Sequence, residues 1–173
     1  MKICILSDSH DNRALLKQAV EAALEQGAEA ILHCGDLVAP STLSILKGIN
    51  IPIHVIHGNN TGDLHTLMKM AEKDNNSIVY HGQDADLTLA NTRFFLVHYP
   101  HYAEGMATTG RWDVICCGHS HRARIDSINT VKNTTTLLIN PGTVGAVGNP
   151  ATYVLGDLST MTFTIHEIKT DWI

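Results

Sequence analysis

The chain has 173 residues, of which 44% are hydrophobic and 17% charged, and a formal net charge of −5. That length and composition suit a compact globular protein, and we read residues 1–173 as a single domain rather than a disordered chain. An acidic balance without a Lys/Arg run offers no footprint for a nucleic-acid polymer, and no apolar stretch approaches the ~18 residues of a membrane span.

Ile3–Leu6 reads as a first strand, far too short for a secretory leader, which points to a soluble cytoplasmic protein. Residues 12–26 place Leu15, Leu16, Ala19, Val20, Ala23 and Leu24 at helical spacing. Asp11 or Asn12 can cap that helix at its start and Gly27 at its end. A second strand at 30–33 precedes a short helix over 40–47 that opens on Pro40. A third strand at 51–56 precedes a helix over 63–73, with Leu64, Leu67, Met68 and Ala71 on one face. Such a βαβαβ opening requires parallel strands with right-handed crossovers.

Short strands follow at 78–80, 86–90 and 93–97, the last two joined by a tight link at Asn91-Thr92. Further strands are expected at 113–117, 124–130, 136–140, 152–157 and 162–168, with a helix near 102–109. Two mixed sheets packed face to face, with helices outside, accommodate this order and give an α/β fold class. Cys4, Cys34, Cys116 and Cys117 lie in or beside the strands without C-x-x-C spacing, so we read them as small buried apolar residues.

The strands share a second property. Asp8 and His10 follow the first, Gly35-Asp36 the second, Gly58-Asn59 the third, His98 the 93–97 strand, and Gly118-His119-Ser120-His121 the 113–117 strand. Each piece alone is an ordinary polar loop or a core histidine, although two imidazoles two residues apart behind a glycine are harder to explain structurally. Together they occupy one place relative to five strands, and open α/β sheets bind ligands at that carboxyl edge. The seven donors exceed what one zinc takes. With one shared carboxylate they match a pair of ions about 3.5–4 Å apart. Carboxylate, imidazole and amide donors suit Mn²⁺, Fe²⁺, Co²⁺, Ni²⁺ or Zn²⁺ better than Mg²⁺ or Ca²⁺.

The ordered set D-x-H, G-D, G-N, H and G-H-x-H resembles that of the calcineurin-like metallophosphoesterases, and more narrowly the small bacterial and archaeal phosphodiesterases among them. The resemblance runs from Asp8 to Asn140-Pro141-Gly142-Thr143. It implies a four-layer α/β/β/α sandwich and a phosphoric ester hydrolase acting on small phosphate esters, diesters foremost, through a hydroxide activated by two ions. By matched motif, Asp8, His10 and His121 would hold one ion, and Asn59, His98 and His119 the other. Asp36 would bridge them, with Asp36 and Asn59 nearest the chemistry, and Mn²⁺ is the metal the resemblance favours. Asn140-Pro141-Gly142-Thr143 reads as a turn without a catalytic role.

The chain departs from that pattern after Asn59. Where relatives place a His or Cys and then an acid, it has Asn60, and the acid is displaced to Asp63. The usual donor of a proton to the leaving group is therefore missing, and activated aryl esters should be favoured over alkyl ones. Asn60 and His101 are the candidates for touching substrate, while His33 and His57 should face the sheet. Three other readings compete. A non-catalytic scaffold like the retromer subunit that shares this fold would have lost ligands, and all seven are here. A polymer nuclease needs a basic groove. For such a nuclease, exposed Trp112 or Tyr102 could stack a base, although lone aromatics more often pack. Nucleotide or dinucleoside-polyphosphate hydrolysis stays open, and so does a homo-oligomer.

Overall fold

The computed structural model describes residues 1–73 and 77–169. Its strands in chain order are β1 (Lys2–Leu6), β2 (Ala30–His33), β3 (Ile53–Val55), β4 (Ile78–Tyr80), β5 (Asp84–Leu89), β6 (Thr92–Val97), β7 (Val114–Cys116), β8 (Arg124–Asn129), β9 (Thr135–Asn140), β10 (Thr152–Asp157) and β11 (Thr162–Glu167). One sheet has the order β11-β10-β1-β2-β3-β4, the other β5-β6-β7-β9-β8. In the first, β1 to β4 run parallel, β10 pairs antiparallel with β1, and β11 antiparallel with β10. In the second, β6, β7 and β9 run parallel between antiparallel edges.

Side chains alternate between the faces of a strand, and both faces of β1 are apolar. Ile3 and Ile5 join Leu32, Phe94, Leu96, Val114 and Ile139 between the sheets. Cys4 and Leu6 face the other way, toward Leu15, Leu16, Ala19 and Val20 of helix α1 (Arg13–Glu25). Helices α2 (Pro40–Leu43) and α3 (Leu64–Glu72) carry further residues of that layer, among them Leu43 and Leu67. On the far side, Ala103 and Ala107 of α4 (Pro100–Ala107) cover Phe95, Trp112 and Ile115. The result is the expected α/β/β/α stack.

The capping reading holds. Asn12 Oδ1 accepts from the Leu15 N–H at 3.2 Å. At the other end Gly27, at φ +85°, passes its N–H to the Leu24 carbonyl while Ala28 bonds to Ala23, a C-terminal closure that glycine permits. Several strand and helix ends shift by one to three residues from the sequence reading, and three of the differences have a local cause. The 40–47 helix keeps one α-turn and tightens to a 3-10 turn at Ser44–Leu46. Helix α4 begins at Pro100, because proline in a first turn has its φ preset and lacks only an N–H that would go unpaired. The β5–β6 link is Ala90-Asn91, not Asn91-Thr92, since both take positive φ (45° and 64°) and Leu89 pairs with Thr92. A two-residue hairpin turn of this hand demands that conformation.

Register fixes where the loops emerge. Leu6 lies opposite His33, and His33 opposite Val55, so β1, β2 and β3 end level with one another. In the second sheet Leu96 lies opposite Cys116 and Cys116 opposite Ile139. The loops carrying the polar motifs therefore leave their sheets as neighbours.

Candidate metal centre

All seven side chains singled out as ligands meet at this edge. Asp8 and Asp36 are buried among them, at 0% and 1% exposure. His121 Nε2 lies 3.2 Å from Asp8 Oδ1 and 3.0 Å from His10 Nε2. His10 Nε2 is 3.7 Å from both Asp8 Oδ1 and Asp36 Oδ2. Across the carboxylate, Asp36 Oδ1 stands 3.3 Å from His98 Nε2. That nitrogen is 3.0 Å from Asn59 Oδ1, which in turn lies 2.8 Å from His119 Nδ1. Asp36 thus has one oxygen toward His10 and the other toward His98.

The loops reach this geometry through unusual backbone. Asp8, His10, Asp36, His119 and His121 all take positive φ, between 43° and 66°. Asp and His tolerate that region better than most residues, yet it is sparsely populated, and such conformations gather at functional sites. The glycines act differently from one another. Gly35, at φ +103°, supplies a conformation others avoid. Gly58 and Gly118 supply space, since a Cβ on Gly58 would overlap Asp36 and His98, and one on Gly118 would overlap Ser7 and Asp8.

Protons and lone pairs test whether cations fit. His98 Nδ1 donates to the Cys34 carbonyl at 2.8 Å, and His121 Nδ1 to that of Val147 at 2.8 Å. In the neutral ring each Nε2 is then a bare lone pair. His98 Nε2 nonetheless faces two acceptors, Asp36 Oδ1 and Asn59 Oδ1, and His121 Nε2 faces Asp8 Oδ1. Asp8 Oδ1 is buried without a hydrogen-bond partner. Converging acceptors with no proton between them are what a bound cation satisfies, and outer hydrogen bonds that fix the imidazoles are the usual second layer of a metal site.

The titration directions follow from the same packing. Burial pushes Asp8 upward, against the nearby His98 and His121. Burial would raise Asp36 too, but the adjacent His98, in its protonated form, and the hydrogen bonds from Asn60 hold it well below the usual carboxylate range. Burial opposes charge on His98, yet its bonds to Asp36 and to the Cys34 carbonyl raise its pKa. Burial drives the Cys4 and Cys34 thiols up, and Cys117 up to about 12, so these three thiols stay protonated, and all four cysteines are free and buried.

The remaining sequence candidates fall in different places. Asn60 turns its amide onto Asp36, donating to Oδ2 at 2.6 Å while its backbone N–H donates to Oδ1 at 2.8 Å. Asp63 caps α3 through Thr66 instead of approaching the site. His101 is exposed on α4, its ring 4.3 Å from that of Tyr102. His33 is fully buried, with Nε2 3.2 Å from Ser9 Oγ, and His57 Nδ1 meets the Tyr80 hydroxyl at 2.6 Å.

Sequence reasoning passed over the braces. Asn140 Nδ2 donates to the Gly118 carbonyl at 2.7 Å, and Thr143 Oγ1 to the Asp8 carbonyl at 2.8 Å. Val144 and Gly145 pass their N–H groups to the carbonyls of Ser7 and Asp8. The turn noticed at Asn140-Pro141-Gly142-Thr143 thus ties together two ligand loops from different sheets.

Comparison with known proteins shows the family. The family model described as the calcineurin-like phosphoesterase superfamily domain matches residues 1–161. Phosphodiesterase MJ0936 of Methanocaldococcus jannaschii is 30% identical over 144 residues, 82% of this chain and 83% of its own length. A solved archaeal phosphodiesterase superposes with a TM-score of 0.87 at 24% identity, over 97% of this chain and all of its own. Vps29 of Chaetomium thermophilum superposes at 0.65 with 14% identity, over 97% of each chain, a likeness of fold alone. The chain belongs to the calcineurin-like phosphoesterase superfamily and is a phosphoric ester hydrolase.

Proposed function

We propose that this member of the superfamily hydrolyses small phosphodiesters with a pair of divalent ions, Mn²⁺ foremost among Mn²⁺, Fe²⁺, Co²⁺, Ni²⁺ and Zn²⁺. The observation that carries the proposal is the position of Asp36, whose two oxygens face separate donor sets at 3.3 Å and 3.7 Å. Asp8, His10 and His121 would hold one ion, and Asn59, His98 and His119 the other. Two divalent ions so placed would lower the pKa of water, attract the phosphate on an otherwise acidic protein, and offset charge gathering on the phosphoryl oxygens.

The chain's own groups do the rest. The Cys34 and Val147 carbonyls orient His98 and His121 with their Nε2 lone pairs inward. Asn59, its Oδ1 turned to the histidines, keeps its amide N–H groups free to donate to a phosphoryl oxygen. As the phosphorus–oxygen bond breaks, the departing oxygen needs a proton. Asn60 has none to transfer, and its amide is already committed to Asp36. Alkoxides should therefore leave slowly and phenolates readily, with His101 left as a residue that can touch substrate from α4. Free buried cysteines support a reducing, cytoplasmic setting. Among the described residues no helix is long and apolar enough to cross a membrane.

The test is turnover of bis(p-nitrophenyl) phosphate after chelation and after reloading with each metal. Activity that vanishes on chelation and returns with Mn²⁺ is expected. Activity indifferent to chelation would overturn the proposal.

A further inference from the structure

A groove of about 280 Å³ begins where the ligand cluster ends. His98, Gly58, Phe95 and Val97 line it, together with Tyr99 and, from α4, Tyr102. Gln83 and Asp84, both exposed, also line it, with Asp84 opposite Val97 in the β5–β6 pair. Tyr99 joins groove to site. Its ring centroid lies 5.4 Å from that of His98 and 5.0 Å from that of His119, and 5.8 Å from Tyr102 at an interplanar angle of 81°. Tyr102 is 54% exposed, whereas Trp112, the other aromatic considered for stacking, is buried against Phe95.

We propose that this groove receives the nucleobase of a nucleotide ester whose phosphate lies at the metal centre, with Tyr102 stacking on the base and Asp84 accepting from its amino edge. The inference rests on the phosphodiesterase reading and names a substrate class for it. Size suits one flat ring system, since 280 Å³ falls just below the ~300–1,000 Å³ of ordinary ligand sites. Chemistry decides against a plain hydrocarbon, because a carboxylate and an amide line the groove beside its apolar and aromatic residues. Charge fixes the orientation. Asp84 repels phosphate, so the anionic end belongs with the cations and the ring with the tyrosines. Stacking on tyrosine is tolerant of which base is bound, whereas the Asp84 carboxylate selects bases carrying an amino donor, adenine among them.

A series of diesters sharing p-nitrophenolate as leaving group isolates the retained group, which is methyl, phenyl or 5′-adenosyl. Wild-type protein loaded with Mn²⁺ should show a KM for the phenyl and adenosyl esters lower than for the methyl ester by on the order of tenfold. Tyr102→Ala should erase that difference, and Asp84→Asn should raise KM for the adenosyl ester alone. Equal KM across the wild-type series, or a Tyr102→Ala change shared equally by all three esters, would overturn the groove while leaving the hydrolase. Calorimetric titration with adenosine 5′-monophosphate and methyl phosphate tests the groove without turnover. If no ester is cleaved yet the nucleotide binds more tightly in a Tyr102-dependent way, the hydrolytic reading fails and the groove stands. Equal binding of the two would sink the groove.

Discussion

His98 presents its Nε2 to Asp36 Oδ1 at 3.3 Å while its Nδ1 is committed to the Cys34 carbonyl. A neutral imidazole so held has no proton for Asp36. Only a proton added to Nε2 or a cation resolves the pairing, and the two compete for one lone pair. Metal affinity should therefore fall as the pH falls. Burial resists charge on His98, but its bonds to Asp36 and Cys34 raise its pKa, so the decline should begin above the ~6.5 of a free histidine. Calorimetry of Mn²⁺ binding in buffers of different ionisation enthalpy should show more protons released per chain at pH 6 than at pH 8. Equal proton release at both would remove His98 from the ligand set.

Asn60 offers a change of specificity. Asn60→His supplies a titratable group beside the site, and general acids contribute typically ~10²–10⁴-fold. The ratio of alkyl to aryl diester turnover should rise in the variant. Some loss in metal affinity should accompany it, because the amide that donates to Asp36 Oδ2 is gone. A ratio that does not move would mean that proton donation is not what limits alkyl esters.

Two residues that are not themselves ligands should matter almost as much as the ligands. Asn140→Ala frees the Gly118 carbonyl, and Gly58→Ala drives a methyl group into Asp36 and His98. Outer-layer changes around metal sites typically cost ~10–100-fold in affinity or activity, and we expect both variants within that range. Metal titration beside a thermal melt of the metal-free protein separates lost positioning from lost folding. Wild-type affinity in both would mean the braces are idle.

Stability of the metal-free protein should decline from about pH 6.5 toward pH 4. His33 is fully buried, and burial together with neighbouring His98 lowers its pKa to about 4. The unfolded chain takes up that proton near ~6.5. Over this interval the unfolded state binds more protons, so stability rises with pH and is lost as pH falls. The limiting effect is on the order of 3 kcal/mol, from a difference of about two and a half pKa units. His33→Gln should flatten the melting-temperature profile over this range. An unchanged profile would place the titration elsewhere.

Much of this was legible in the residues because two periodicities dominate. Alternation along Ile3–Leu6 and helical spacing from Leu15 to Leu24 each name their partners, and the polar motifs behind the strands follow from where parallel strands end. The rest depended on contacts distant in sequence. Nothing local to Asn140 says that it will hold the Gly118 loop, since a turn sequence looks the same whether or not it braces something. Asn60 reads as a substitution for a catalytic group, and only the fold turns its amide onto Asp36. Tyr102 and Trp112 are indistinguishable as aromatic residues until α4 leaves one at a groove and Phe95 covers the other.

Counting metal on the wild-type chain and on Asp36→Asn reaches the central claim most directly. Elemental analysis and activity after Mn²⁺ loading should give two ions per wild-type chain. The variant should hold at most one and lose turnover, because the shared carboxylate sits between both donor sets. A wild-type chain that binds a single ion, or an Asp36→Asn variant that keeps both ions and full activity, would contradict the account.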